Sequence, residues 1–391
     1  MGIRVINVKS VYEELKKNKS IVNKITNLAK KGDIEGFTPP STLIGEFNYP
    51  KVSVGIIFTT DQNASIYDAP KFWVKNGFDV LKIFGLRSSL VNAKNNVDVR
   101  RPGDSYMQNV ALATMSETDL SIEMKISKVI NRPMISKDLS PHGVTADLSM
   151  FKLNENVRIN KNVEKVYYDK DLKAIEGMLY LYNNKIADDK ISKILSVGAI
   201  GVKRRIVPTK WAITAVDDTV GKSMIEEIRS YPIGKEFAVK TGTVLGNHYL
   251  FLFIPDIWAF ELLETWNRSG NEVFSGEGDY ELYDGRKEYV KNTAGAYYAI
   301  RLAVLEKIKE MKQQFSVLVI REITPDYFAP LGVWVVREGA RKVLSGEMNY
   351  FDNMEIAIKN VKDMLFYPIN ILGKSKVLQH RDRQTKLVGL I

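Results

Sequence analysis

Apolar positions along the chain change spacing several times, and each spacing predicts an element. Over residues 8–31, Ile21, Ile25 and Leu28 recur at helical intervals while lysines crowd the other side. A basic amphipathic helix is expected there, ended by Gly32. Pro39, Pro40 and Pro50 punctuate a loop, and Val52–Phe58 reads as a buried strand. Residues 65–110 are mixed, with several turn signals. In Leu120–Ile126 (LSIEMKI) polar and apolar residues alternate, the pattern of a half-buried strand.

Residues 133–165 show no period and are expected to be irregular. A helical run follows over roughly 170–205. The segment VPTKWAITAVDDTVGKSMIEEI reads as turn, strand, turn and helix, with Ala212–Val216 as the strand. Tyr249–Ile254 is another apolar strand. The stretch 268–287 is rich in Gly, Asp and Glu and reads as a loop or the join between two domains. Residues 288–312 predict the longest helix, with a strand at Ser316–Ile320 after it and helices over Leu331–Leu344 and Asn353–Leu365. From Gly373 the chain turns polar (GKSKVLQHRDR) and reads as an exposed tail, yet its last residues, QTKLVGLI, are apolar again. Strands and helices do not alternate regularly. The expected class is therefore α+β, with mixed sheets and packed helices, a large N-terminal domain and a smaller, mainly helical C-terminal domain.

Composition narrows the chemistry. The 391 residues are 45% hydrophobic and 26% charged, enough to bury a core without staples. Cysteine is absent, which excludes disulfides, thiolate zinc sites, iron–sulfur clusters and a thiol nucleophile. The net charge of +10 favours polyanionic partners, nucleic acid or acidic lipid surfaces. The opening MGIRVINVKS has no apolar signal core, and the most apolar stretch, Tyr249–Phe260, is broken by Pro255 and Asp256. A cytoplasmic protein with no membrane partner is expected.

Several groups invite a chemical reading. Gly221–Lys222–Ser223 resembles the end of a phosphate-binding loop, but Val216 stands where that loop needs glycine, so a helix start with an exposed lysine is expected. Gly276 and Gly278 likewise lack the later glycine of a dinucleotide loop, because Glu281 occupies it. Asp217 and Asp218 follow one apolar run, and Glu322 and Asp326 follow another. If those ends met, the four carboxylates could hold Mg²⁺ as in a metal-dependent nuclease. The plainer alternative is that Asp217 or Asp218 caps a helix and Asp326 holds the Pro325 turn. His142, in the loop SPHG, is either a general base or structural, and His248 is expected to be a satisfied core residue. No two histidines have metal-ligand spacing.

Basic clusters suit phosphate contacts. Arg204, Arg205 and Lys210 surround Pro208 and lead to Trp211. Arg337 and Arg341 lie four apart with Lys342 beside them, while Val333, Val336, Ala340 and Leu344 would pack inward. Arg87, Arg100 and Arg101 flank a further basic stretch. Trp211, Tyr327 and Phe328 could stack on unpaired bases. An ordinary solvated face, or an ion pair of Arg337 with Glu322 or Glu338, is the competing reading.

At the end of the chain Gln384, Leu387, Leu390 and Ile391 give the spacing Q-x-x-h-x-x-h-h. This resembles the PIP box, the peptide with which many DNA-processing proteins hold the sliding clamp PCNA. One turn of tight helix would gather the three aliphatic side chains into a plug worth about 1.5–3 kcal/mol each before entropy. Gln384 can both donate and accept at a pocket rim. Many such peptides end in two aromatics; Leu390 and Ile391 bury less area and imply weaker binding. The alternative is a terminus docked on its own domain.

The body resembles the archaeal Nre family of DNA repair proteins, which carry a C-terminal clamp-binding peptide. The matching segments are TPPSTLIGEFNYPKVSVG, YDAPKFW, RSSLVNAKNNVDV, SPHGVTADL, RRIVPTKWAITAVDDTVGK, TAGAYYAIRLAVLE and REITPDYFAPLGVWVVREGAR. The resemblance implies an Nre N-terminal domain over 34–267 after the basic helix of 1–33, an Nre C-terminal domain over 268–372 and a flexible tail over 373–391. Many relatives carry a cysteine-rich, zinc-binding-like N-terminal segment, which this cysteine-free chain lacks. The resemblance implies DNA repair and supplies no catalytic residues.

Overall fold

The computed structural model describes residues 33–130, 139–267, 278–367 and 370–381, with 23, 27, 136 and 273–276. Of the expected N-terminal helix only Asn23 and Asn27 are described, both helical and exposed. The terminal peptide lies outside the described residues.

The chain packs into two compact units. Among the described residues, one holds those up to Val220 together with Ala329–Gly332, and the other holds Gly221–Phe328 with Val333 onward. The first is built on a sheet of β1 (Asp33–Thr38), β2 (Thr42–Ile44), β3 (Lys51–Phe58), β4 (Val91–Asp98), β5 (Leu120–Ile130) and β6 (Val144–Leu153), in the order β1-β5-β6-β4-β3-β2. β4 and β6 run parallel; the other neighbours are antiparallel. Two backbone bonds between Phe37 and Thr59 tie the edge strand β1 to the end of β3 and curl the sheet toward closure. The alternation in β5 is real: Leu120, Ile122, Met124 and Ile126 face the core. Helices α1 (Pro70–Lys75), α2 (Val80–Ser88), α3 (Ser105–Met115), α4 (Lys161–Tyr168), α5 (Ala174–Asn183) and α6 (Asp188–Ser196) complete this unit.

Two expectations fail here. Residues 133–165 are not irregular throughout, because they contain β6 and most of α4. The single helical run expected over 170–205 is two helices, α5 and α6.

The segment expected as strand, turn and helix is one twenty-residue helix, α7 (Thr209–Ile228). Ala212, Val216, Val220, Met224 and Ile228 recur every four residues and are all buried. That long stripe outweighs the short apolar run that suggested a strand. The division between the units falls inside α7.

The second unit contains β7 (Phe237–Val244), β8 (Asn247–Ile254), β9 (Ala259–Asn267), β10 (Val273–Ser275), β11 (Asp279–Glu281), β12 (Ser316–Ile323) and β13 (Asn349–Phe351). Their order is β10-β9-β12-β8-β7-β13, with β11 also paired to β9. The central strand β8 is buried at every position, the pattern of a strand covered on both faces. Leu245 and Gly246 both take positive φ in the tight β7–β8 hairpin, as such turns require. Helices α8 (Ala294–Met311), α9 (Trp334–Leu344) and α10 (Met354–Met364) belong to this unit, with a short helix over 376–381 after them. The stretch 268–287, expected as a join, contributes β10 and β11 to this sheet. Packing divides the chain at Gly221 because β7–β9 are hydrogen-bonded into the same sheet as β12 and β13.

Candidate functional site

Four of the segments singled out in the sequence meet in the first unit. Arg87, near the end of α2, is 2% exposed. Its Nη1 donates to Asp68 Oδ1 at 2.6 Å and to the Tyr67 carbonyl at 3.1 Å, and its Nε donates to the Pro141 carbonyl at 2.9 Å. Lys193 of α6 donates to the other Asp68 oxygen at 2.7 Å. Burial would raise the Asp68 carboxyl, but Lys193 and Arg87 outweigh it and hold it well below the usual carboxylate range.

Beside this triad His142 Nε2 lies 3.2 Å from Asn92 Nδ2. His142 Nδ1 and Asn92 Oδ1 have no partner. Two glycines make the approach possible. A Cβ on Gly143 would lie 2.0 Å from the Ser88 carbonyl oxygen, and one on Gly55 would lie 1.7 Å from Asn92 Oδ1. Burial, and then the charges of Arg87 and Lys94, push His142 down to about 4. It is 1% exposed, so it is neutral near pH 7 and closed to solvent, as suits a structural group better than a general base.

The acidic candidates are separated in role and place. Asp217 is fully buried in the middle of α7, and Asp218 beside it is half-buried; both are engaged by neighbours. Neither stands at a helix start, so the capping reading fails with the strand reading. Glu322, in β12 of the second unit, accepts the backbone N–H groups of Phe366 and Tyr367, each at 2.9 Å. Burial raises its pKa against those two donors. Asp326 is exposed in the turn whose Tyr327 N–H donates to the Thr324 carbonyl. Among the described residues no three His, Asp or Glu side chains cluster as metal ligands. Lys222 is exposed within α7 rather than at a helix start. His248 is a core residue, with Nδ1 2.8 Å from Thr243 Oγ1 and its ring stacked 3.8 Å from Phe366.

The basic clusters divide too. Arg337 is 2% exposed and lies inside the packing of α9. Arg341 grips both oxygens of Glu306 on α8, at 2.8 and 2.6 Å, and also reaches Glu338 at 2.7 Å. Arg341 holds α9 to α8, and of that cluster Lys342 alone is exposed. In the other cluster Arg204 folds back onto the carbonyls of Gly201, Tyr167 and Asp169. Arg205 is exposed and Lys210 half-buried, 3.8 Å from Glu46. Trp211 is 47% exposed.

The polar stretch after Gly373 is docked rather than free as far as Arg381. Glu261 of β9, 1% exposed, accepts the Ser375 hydroxyl at 2.5 Å and the N–H groups of Lys376 and Val377 at 2.9 and 3.1 Å. A carboxylate from the sheet thus caps the short helix over 376–381. Val377 is buried against the second core, with Leu378 packed beside it. No sequence signal linked Glu261 to Ser375, because the contact crosses most of the domain. Beside this helix lies a pocket of about 240 Å³ lined by Trp258, Tyr283, Val377, His380 and Arg381.

Comparison with known proteins extends these observations. The family model described as "Archaeal Nre, N-terminal" matches residues 8–271, and that described as "Archaeal Nre, C-terminal" matches 281–389. DNA repair protein NreB of Archaeoglobus fulgidus is 35% identical over 365 residues, 91% of each chain. DNA repair protein NreA of the same organism is 36% identical over 330 residues, 82% of each chain. DNA repair protein NreA of Haloferax volcanii is 33% identical over 352 residues, 84% of this chain and 82% of its own. No solved structure matches the chain. Kinship places a boundary between 271 and 281, whereas packing places one at Gly221. With both family models matched in order and the relatives aligned over most of their length, the chain belongs to the archaeal Nre family.

Proposed function

We propose that this chain is a DNA repair protein held at DNA by the sliding clamp PCNA through Gln384, Leu387, Leu390 and Ile391, and that it binds DNA through basic surfaces. Repair is the role named for its relatives. The observation that carries clamp attachment is the terminal spacing itself, Q-x-x-L-x-x-L-I, which follows directly on a helix anchored by Glu261. Three aliphatic side chains there offer a plug for an apolar pocket, and Arg381, Arg383 and Lys386 favour an acidic rim. Attachment raises the local concentration of the body at DNA without any new contact in the body. Phosphate contacts fall to Arg205, Lys210 and Lys342, which reach solvent.

Deleting residues 384–391 is expected to abolish binding to purified clamp while the melting temperature stays within a degree or so. Undiminished clamp affinity in the truncated chain would refute the attachment.

A further inference from the structure

One edge of the first unit joins exposed aromatic rings to basic side chains. The tight turn between β2 and β3 carries Phe47, 76% exposed, and Tyr49, 50% exposed. Trp211, in the first turn of α7, places its ring 5.8 Å from that of Tyr49. Exposed large aromatics are ordinary one at a time; three on one edge are not.

The edge is built rather than loose. Val99 N–H donates to the Pro50 carbonyl, and Ile206 N–H donates to the Val99 carbonyl, both at 2.9 Å. These bonds stitch three loops together. Ile44 N–H donates to Thr209 Oγ1 at 2.8 Å and fixes the start of α7 against β2. Trp211 Nε1 donates to Glu46 at 3.2 Å, which orients the indole, and the residue stays 47% exposed. Asn48, at φ 64°, makes the turn that carries Phe47 and Tyr49.

The surrounding charge selects the occupant. Lys51, Arg100, Arg101 and Arg205 are exposed along the same three loops, with Lys210 half-buried beside them. Arg100 is braced by Asp98, its Nη2 at 2.5 Å. Glu46 and Asp98 are already engaged by these neighbours. A duplex presents phosphate to such a surface but keeps its bases stacked away from rings. Unpaired strands offer both, since every base has a π-face and a phosphate follows each one.

We infer that the edge formed by Phe47, Tyr49 and Trp211 is a stacking platform for unpaired DNA bases, with Lys51, Arg100, Arg101 and Arg205 following the sugar–phosphate backbone. The inference rests on the DNA-binding part of the proposed function and adds the substrate class: single-stranded or unwound DNA. The test uses the full chain, fluorescein-labelled oligothymidine and a labelled duplex of equal length. Anisotropy should show tighter binding to the unpaired strand, and binding should quench tryptophan emission. Phe47→Ala should weaken oligothymidine binding roughly tenfold, with duplex binding little changed. Trp211→Phe should retain binding and lose most of the quenching. Tyr350→Ala, at an exposed ring in the other unit, should change nothing. Equal affinity of Phe47→Ala and the parent for oligothymidine overturns the platform, as does a matching loss in Tyr350→Ala. If the parent binds both DNAs alike and Phe47→Ala is silent, the platform falls and general DNA binding stands. If no DNA binds, both fall, and clamp attachment is judged separately by the terminal deletion.

Discussion

A single histidine ties the first unit to acid. His142 is held near 4 instead of its ordinary 6.5 by burial and by the neighbouring charges of Arg87 and Lys94. Below about pH 6.5 the unfolded chain takes up a proton that the folded chain refuses until about pH 4. Stability therefore falls as pH drops through that window and is whole above it, by about 3 kcal/mol in total. Asp68 acts in the same direction at lower pH: held ionised by Lys193 and Arg87 against its burial, it stabilises the fold above its ordinary value of 3.8 and loses that contribution as pH falls below it. His142→Gln should flatten the dependence of unfolding free energy on pH between 6.5 and 4, measured by urea titration. An unaltered slope would assign the acid sensitivity elsewhere. The residue types at this site were legible: YDAPKFW, RSSLVNAKNNVDV and SPHG stand out in the sequence. Their convergence was not, because it depends on β4 lying parallel to β6 and on α6 delivering Lys193 from far along the chain.

At the scale of elements, strands covered on one or both faces announce themselves. LSIEMKI alternates and YLFLFI is continuously apolar, and both lie in strands where expected. The failure at α7 has a definite cause. AITAV is five residues long, short enough for the periods of helix and strand to be confused, and only the stripe continuing to Ile228 decides between them. With that helix goes the placement of Asp217 and Asp218 at a strand end, and with it the sequence argument for a metal. The Arg337–Arg341 pair failed for another reason. Spacing puts the two on one face but does not say that α8 covers that face with Glu306. The docked helix over 376–381 depends on Glu261. Glu261→Ala would leave two N–H groups and the Ser375 hydroxyl without their acceptor, at a cost of about 1–3 kcal/mol. Amide exchange at Lys376 and Val377 should accelerate. Unchanged exchange at those two amides would show that the cap contributes nothing.

At the scale of the whole molecule, the described residues form two sheets in two packing units, and the chain carries a balance of +10 that favours polyanionic partners. Among the described residues no helix is long and apolar enough to cross a membrane. Glu261 also shortens the leash. Read from composition, everything after Gly373 would pay out as slack between clamp and body. With the chain pinned through Arg381, Gln384 follows after three residues, a reach of at most about 11 Å. A ring holding Gln384 would therefore stand hard against the β9 side of this unit. A short lysine-reactive cross-linker should join Lys376 to the ring, and inserting a flexible glycine–serine spacer after Arg381 should abolish that link without weakening the hold. The attachment would then act as a bracket, setting the angle at which the body meets the DNA threaded through the ring.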